Sequence, residues 1–223
     1  IPGFVEKAAR GGCSQVFIGM ESINQKNLQA VGKTQNNVEK YAEFIKAWHN
    51  VGIMTHVGYI IGFPYDTVES VRRDINRMKN EILVDQASFF VLTPLPGSRD
   101  HYDLVASGAE LDSDLNKYDS FHTVMDHPLM SRDEVMEAYQ ESWESFYEFD
   151  HIKKVLIRAG RKSYWDIFKN TMWYKNSMLE PRHPMVAGFI RRKGRTYVRP
   201  GTPIKGFIPY YYTRLKESLN GLR

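Results

Sequence analysis

The sequence predicts an α/β fold in which parallel strands alternate with helices. Apolar stretches of strand length begin near residues 15, 53 and 87, and each is followed by a segment with helical spacing. Intervals of about 35 residues are what repeated strand–helix–strand units with parallel pairing require. The strands are apolar on both faces, as in a parallel sheet covered by helices. Three such units leave bare sheet edges, so we expect the later half of a larger α/β domain.

The first unit is predicted from its start and stop signals. Residues 5–10 have the pattern of a helix end followed by two glycines, and residues 15–20 form a short apolar strand. A helix is predicted over 22–31, with Ser22 as its N-cap and Gln25 three residues later.

The second and third units follow the same pattern. A helix is expected to begin at Asn36, where Glu39 completes a capping box, and strand 53–63 follows. Asp66 and Glu69 suggest a second capping box, which begins a helix with apolar positions at helical spacing. The third strand is predicted over 87–92.

The character of the chain changes after the third strand. We predict two domains: residues 1–110 with the strand–helix units, and residues 111–223 as a helical, basic C-terminal extension. Within the extension, Ser131 and Glu134 predict the start of a long helix. Residues 1–150 hold 13 Lys and Arg against 23 Asp and Glu, whereas residues 151–223 hold 17 against 3. The excess positive charge of the chain therefore lies in its last third.

The composition excludes several classes of protein. Cys13 is the single cysteine, so a disulfide within the chain and a four-cysteine zinc site are both excluded. The histidines lack the spacing of metal ligands, and we predict no metal ligand in this chain. No apolar run reaches the length of about 18 residues that a membrane span needs. We expect a cytoplasmic protein, and a chain beginning Ile1-Pro2-Gly3 suggests a piece of a longer one.

Candidate binding residues lie where the predicted strands end, because ligands of α/β sheets bind at the carboxyl ends of the strands. A carboxylate such as Glu21 can accept hydrogen bonds from hydroxyl or ammonium groups, or it can simply favour a helix start. Glycines in a strand allow a flat ligand to approach the backbone, or they allow close strand–helix packing. The candidates are Glu21, Ser22, Gly58, Ile60, Gly62, Thr93 and Leu95.

Over about residues 1–150, three segments resemble strand ends of the radical S-adenosylmethionine superfamily, closest to its members with a cobalamin-binding domain. They are Gly19-x-Glu21-Ser22, Gly58-x-Ile60-x-Gly62-x-Pro64 and the run from Thr93 to Ser98. The resemblance implies the later half of a partial (β/α)6 TIM-like barrel. It also implies that the seven candidates contact S-adenosylmethionine, with Gly58, Ile60 and Gly62 beside its adenine.

The resemblance further implies a [4Fe-4S] cluster whose three cysteine ligands lie upstream, because the superfamily's CxxxCxxC motif is absent. This chain would then be the C-terminal part of a radical enzyme, inactive without its missing N-terminal half. Methyl transfer from cobalamin held by an upstream domain is one implied reaction. The alternatives are a non-catalytic binding module that has lost the cluster, and a tRNA-modifying methylthiotransferase-like protein.

Other polar residues have structural and functional interpretations. His56 lies within a predicted strand, as a core residue or a catalytic one, and Tyr118, Asp119 and His122 are structural loop residues or proton donors. Catalytic residues stay unassigned.

The substrate is expected to be a small or lipid-like molecule, and the sequence contains no strong indication of nucleic-acid binding. For the basic tail we consider docking on the acidic body through Trp165, Phe168, Trp173 and the tyrosines at 210–212, peripheral membrane contact, and nucleic-acid binding.

Overall fold

The computed structural model describes residues 2–30, 32–33, 36–177, 212 and 216. Three strands and eight α-helices alternate over this part of the chain. The strands are β1 (Gln15–Glu21), β2 (Met54–Ile61) and β3 (Gln86–Val91). The helices are α1 (Phe4–Arg10), α2 (Gln25–Ala30), α3 (Tyr41–Asn50), α4 (Val68–Arg77), α5 (Arg99–Ala106), α6 (Arg132–Phe146), α7 (Phe149–Arg158) and α8 (Gly160–Ser177).

The three strands form one parallel sheet in the order β1-β2-β3. Gly19 pairs with Gly58, which in turn pairs with Ser88, so the three strands are in register across the sheet. This arrangement confirms the adjacent parallel strands predicted near 15, 53 and 87. Strand β2 lies in the centre, and seven of its eight residues are buried, as its continuous apolar sequence predicts.

The predicted half of a (β/α)6 barrel is wrong. The described residues contain a small, open sheet of three parallel strands with helices, and nothing in that part of the chain closes it into a barrel. Sequential parallel strands are also the arrangement of one half of a Rossmann-like, doubly wound sheet. Barrels and open sheets are built from the same right-handed strand–helix–strand unit, so the interval between strands does not distinguish them.

One face of the sheet is covered by helices, and the core lies there. The Tyr59 hydroxyl of β2 donates a hydrogen bond to Asp74 of α4 at 2.8 Å. Behind them the Phe89 ring meets the rings of Trp143 and Phe146 of α6 edge-on, at centroid distances of 5.1 and 5.8 Å. Each such buried side chain contributes about 1.5–3 kcal/mol to folding, so these contacts hold α4 and α6 on the sheet.

Two helix starts differ from the predicted ones. Helix α2 begins at Gln25, and Ser22 is fully buried in the preceding turn, where its Oγ accepts a hydrogen bond from the Asn24 amide at 3.0 Å. Ser22 is therefore not the N-cap. Ahead of α3, a short 3-10 turn is capped by Asn37, whose side chain accepts from the Glu39 amide at 3.0 Å, rather than by Asn36.

The cap of α4 also differs from the predicted one, whereas that of α6 agrees. Thr67 caps α4 and Ser70 completes the capping box, because Asp66 is engaged in the turn before the helix. Ser131 and Glu134 form the predicted capping box of α6.

A buried carboxylate ties the amino end of the sheet to two helices. Asp85 accepts hydrogen bonds from the Thr55 amide and hydroxyl, both at 2.9 Å, and lies 2.8 Å from His49 Nε2 of α3. Arg158 of α7 donates to its other oxygen at 2.7 Å. Burial alone would raise the pKa of Asp85, but the hydrogen bonds and charges of His49 and Arg158 outweigh it, and the pKa is lowered.

The chain divides into two compact units, Ile1–Phe168 and Lys169–Arg223. The second is described only at residues 169–177, where it continues α8, and at 212 and 216. Among the helices of these described ranges, none combines the length and apolarity that crossing a bilayer requires.

Trp165 and Arg158 are two residues of the predicted tail packing that the structure describes. Trp165 was expected to be packed, but it is 67% exposed, and that expectation is wrong. Arg158 does meet an acidic partner of the body, Asp85. Tyr210 and Tyr211 lie outside the described residues.

Candidate functional site

The face of the sheet turned away from α3 and α4, here called the distal face, carries polar and aromatic side chains. Strand alternation places His56, Gly58 and Ile60 of β2 on it, since Thr55 and Tyr59 point to the helices. The neighbouring strands add Phe17 and Ser88: the Phe17 ring meets His56 edge-on at 4.9 Å, and Ser88 Oγ lies 2.8 Å from His56 Nε2.

Glu21 ends β1 with its carboxylate over the distal face. Its backbone has a φ of 65°, and the register of β1 with β2 shifts between Gly19 and Glu21. A Cβ atom on Gly19 would lie 2.8 Å from Glu21 Oε1, so the carboxylate occupies the space beside that glycine. The side chain is 23% exposed and its only described ion-pair partner is Lys33, at 3.7 Å. This carboxylate remains accessible to a ligand.

Gly58 forms the floor between two aromatic rings. A Cβ atom there would lie 3.0 Å from Phe17 Cζ and 3.7 Å from Phe90 Cε2. Phe17 is 57% exposed, whereas the Phe90 ring stacks on Phe121 at 6.5 Å. Ile60 pairs with Phe90 in the sheet and is half-buried. Glu21, Gly58 and Ile60 therefore share one face of the sheet.

Gly62 has a structural role in the turn after β2. Its φ is 105°, a conformation that side chains disfavour. The Asp66 carboxylate accepts from the Gly62 and Phe63 amides, both at 3.0 Å, and from Asn27 Nδ2 at 2.7 Å. Burial raises the pKa of Asp66 to about 6, although these hydrogen bonds oppose the shift.

The other three candidates differ in placement. Ser22 is buried and bonded within its own turn. Thr93 is half-buried, and its hydroxyl donates to the Val91 carbonyl at 3.0 Å. Leu95 is 53% exposed in the loop before α5. Whether these residues contact a ligand stays a prediction.

His56 is held neutral on the distal face. It is 8% exposed, and burial lowers its pKa to about 4. A neutral imidazole can accept or donate a proton but carries no charge at neutral pH. Sequence reasoning identified His56 but missed Phe17, Ser88 and Phe90, and the signal that could have found them is alternation. Once β2 is assigned, residues paired with His56, Gly58 and Ile60 must share their face.

The candidate proton donors of the later loop are hydrogen-bonded within that loop. His122 Nδ1 lies 2.9 Å from Asp119 Oδ1, and Tyr118 donates to the Asp112 carbonyl at 2.8 Å. These bonds fit the structural interpretation of the loop. Among the described residues, no group of three or more His, Cys, Asp or Glu could hold a metal ion.

Three curated proteins of similar sequence are named as methyltransferases. The chain is 30% identical over 166 residues to the bacteriochlorophyllide d C-8(2)-methyltransferase of Chlorobaculum tepidum, which is 71% of this chain and 34% of that protein. It is 29% identical over 148 residues to an uncharacterized methyltransferase of Pyrococcus horikoshii, 65% of this chain and 32% of that protein. The bacteriochlorophyllide d C-12(1)-methyltransferase of Chlorobaculum tepidum is 26% identical over 170 residues, 76% of this chain and 36% of the relative.

The chain thus spans about a third of the length of these relatives. No family model matches it.

These relatives correct the sequence-based assignment. They are named as methyltransferases, and none is named as a radical or iron–sulfur enzyme, so the assignment to the radical S-adenosylmethionine superfamily is replaced. The predicted function and its two alternatives are replaced with it. The predicted [4Fe-4S] cluster and cobalamin receive no support from the names. The methyl-transfer component of the prediction agrees with them, and the sequence similarity of this chain is to methyltransferases.

Proposed function

We propose that this chain is the ligand-binding part of an S-adenosylmethionine-dependent methyltransferase. The observation that carries the proposal is the similarity over 166 residues to a protein named as a methyltransferase. The distal face supports it, because it offers an accessible carboxylate, a glycine between two aromatic rings and a neutral histidine on one surface.

The residues of the distal face fit the cofactor chemically. Gly19 and Gly58 are paired in the sheet, so a flat ring such as adenine could approach the backbone at Gly58 once the exposed Phe17 ring moves aside. Glu21 can accept hydrogen bonds from ribose hydroxyls or from the ammonium group of the methionine part. When bound, the cofactor would supply a methyl group on a positively charged sulfur.

The protein's own contribution would be positioning and shielding. The rings of Phe17 and Phe90 flank Gly58 and offer stacking surfaces to a planar group. Their apolar surface excludes water from the ligand, which strengthens each polar contact made there. His56 lies beside the Phe17 ring, and because burial lowers its pKa to about 4 it would contribute an uncharged polar contact to the site.

The proposal is tested by calorimetric titration of the chain with S-adenosylmethionine. We expect saturable binding, and Glu21→Gln should weaken it by about tenfold, the scale of a lost charged hydrogen bond. Glu43→Gln, an exposed carboxylate on α3, is the matched control and should bind as the wild type does. Absence of binding by the folded wild-type chain, or equal binding by Glu21→Gln, contradicts the assigned site.

A further inference from the structure

Helix α8 carries exposed aromatic rings that neither the core nor the distal face uses. The aromatic cluster consists of Tyr164, Trp165 and Phe168, with centroid distances of 5.3 Å from Tyr164 to Trp165 and 5.9 Å from Trp165 to Phe168. Trp165 is 67% exposed and Tyr164 is 36% exposed. Contiguous aromatic surface left in water indicates a contact surface.

The preceding helix adds exposed apolar side chains of a different kind. Ile157 of α7 is 73% exposed and Phe149 is 43% exposed. With the exposed Lys153 between them, they recur every four residues and so lie along one side of α7. An exposed aliphatic side chain gains little from a stacked base or a polar protein surface, but it gains from an acyl environment.

Residues 151–177, which include most of α7 and all of α8, carry an excess of positive charge. Residues 151–177 contain seven Lys and Arg against the single acidic residue Asp166, whereas residues 1–150 contain 23 acidic residues against 13 basic ones. A negatively charged surface therefore attracts α7 and α8 and repels the remainder of the body. Lys and Arg beside Trp and Tyr are the residues that proteins place at the boundary between lipid headgroups and acyl chains.

We propose that α7 and α8 dock peripherally on an anionic lipid bilayer. Trp165, Tyr164 and Ile157 enter the boundary between headgroups and acyl chains, and the exposed Lys153 and Lys154 of α7 contact the lipid phosphates. This inference does not depend on methyl transfer. Nucleic acid is the competing polyanion, since bases also stack on tryptophan. The exposed aliphatic Ile157 favours lipid over nucleic acid.

The experiment is flotation of the full chain with vesicles at about 0.15 M salt. We expect binding to equimolar phosphatidylcholine and phosphatidylglycerol, and little binding to phosphatidylcholine alone. Trp165→Ala should weaken binding by about tenfold, because the variant no longer transfers a large, exposed apolar ring out of water. Tyr102→Ala is the matched control: Tyr102 of α5 is also 67% exposed, and its removal should change nothing.

Additional variants separate the contribution of apolar insertion from that of charge attraction. Ile157→Ser should also weaken vesicle binding, and Lys153→Glu should weaken it most at low salt. Circular dichroism checks that each variant is folded. If Trp165→Ala does not fold, vesicle binding by Ile157→Ser tests the proposal. The proposal is overturned if the wild type binds neither vesicle, or if both apolar variants bind as it does. It is also overturned if vesicles do not bind and a single-stranded oligonucleotide binds in a Trp165-dependent manner.

Discussion

The ring of Phe17 lies against Gly58 so closely that a Cβ atom on the glycine would be 3.0 Å from Phe17 Cζ. Because Phe17 is 57% exposed, its ring can move, whereas Phe90 on the other side is stacked on Phe121. The glycine therefore sets the position of the exposed ring that borders the proposed ligand site. A side chain added at Gly58 would therefore disturb the proposed ligand site more than the hydrophobic core.

Gly58→Ala is expected to displace Phe17 and to weaken S-adenosylmethionine binding by about tenfold, the upper scale for one stacked ring. Unfolding by urea should change little, since the displaced ring is exposed. Gly11→Ala, at a glycine with a φ of −76°, is the control for the loss of a glycine. If Gly58→Ala binds as tightly as the wild type, Phe17 does not border the ligand.

Gly62→Ala is expected to destabilise the protein by about 1–2 kcal/mol, the scale of forcing a side chain into left-handed backbone. Its φ of 105° is required by the turn that presents two amides to Asp66. Urea unfolding measures the effect, and Gly11→Ala again serves as the control. A neutral Gly62→Ala would mean that the turn can relax without its present backbone.

The pH dependence of stability should carry a contribution from Asp66. Burial raises its pKa from 3.8 in the unfolded chain to about 6 in the folded protein. Between these values the folded state binds more protons, so this group's contribution to stability falls as pH rises from about 4 to about 6. Asp66→Asn should remove this decline from urea unfolding curves measured across the window. A variant with the wild-type pH profile would show that Asp66 titrates normally.

Tyr59→Phe is expected to destabilise the protein by about 1–3 kcal/mol. The hydroxyl donates to Asp74 at 2.8 Å, both residues are buried, and the variant would leave the carboxyl without this donor. Tyr102→Phe, at an exposed tyrosine, should be neutral. Equal stability of Tyr59→Phe and the wild type would mean that Asp74 is satisfied by its other contacts.

The strands could be predicted from sequence because their apolar runs are short and end at turn residues, as residues 54–61 do before Pro64. Whether the sheet closes into a barrel or stays open could not be predicted, since both are built from the same repeating unit. The cap of α4 moved from Asp66 to Thr67 because both side chains can cap a helix. The Asp66 carboxylate instead accepts a hydrogen bond from the Gly62 amide, and this contact cannot be recognised from the local sequence. Glu21 and Gly58 could be predicted as neighbours because strand ends converge, whereas Phe17 required the register.

His151 is expected to make the protein sensitive to acid. It is 2% exposed against the Phe146 ring, and neither ring nitrogen has a hydrogen-bond partner within the described residues. Burial, together with nearby positive charges including Lys79 and Arg158, lowers its pKa from 6.5 to about 3. Below about pH 6.5 His151 is therefore protonated in the unfolded chain but neutral in the folded protein, so the free energy of unfolding falls as the pH drops.

Replacing His151 by leucine removes this proton while keeping an apolar side chain of similar volume. We expect His151→Leu to be neutral or stabilising near pH 7, because it also removes two unsatisfied buried nitrogens. Near pH 5 its advantage over the wild type should be larger, as measured by urea unfolding at both pH values. Ile152→Val, at the adjacent buried position, carries no titratable group and should change stability equally at both. An advantage of His151→Leu that does not grow in acid would mean that the imidazole is protonated in the folded protein.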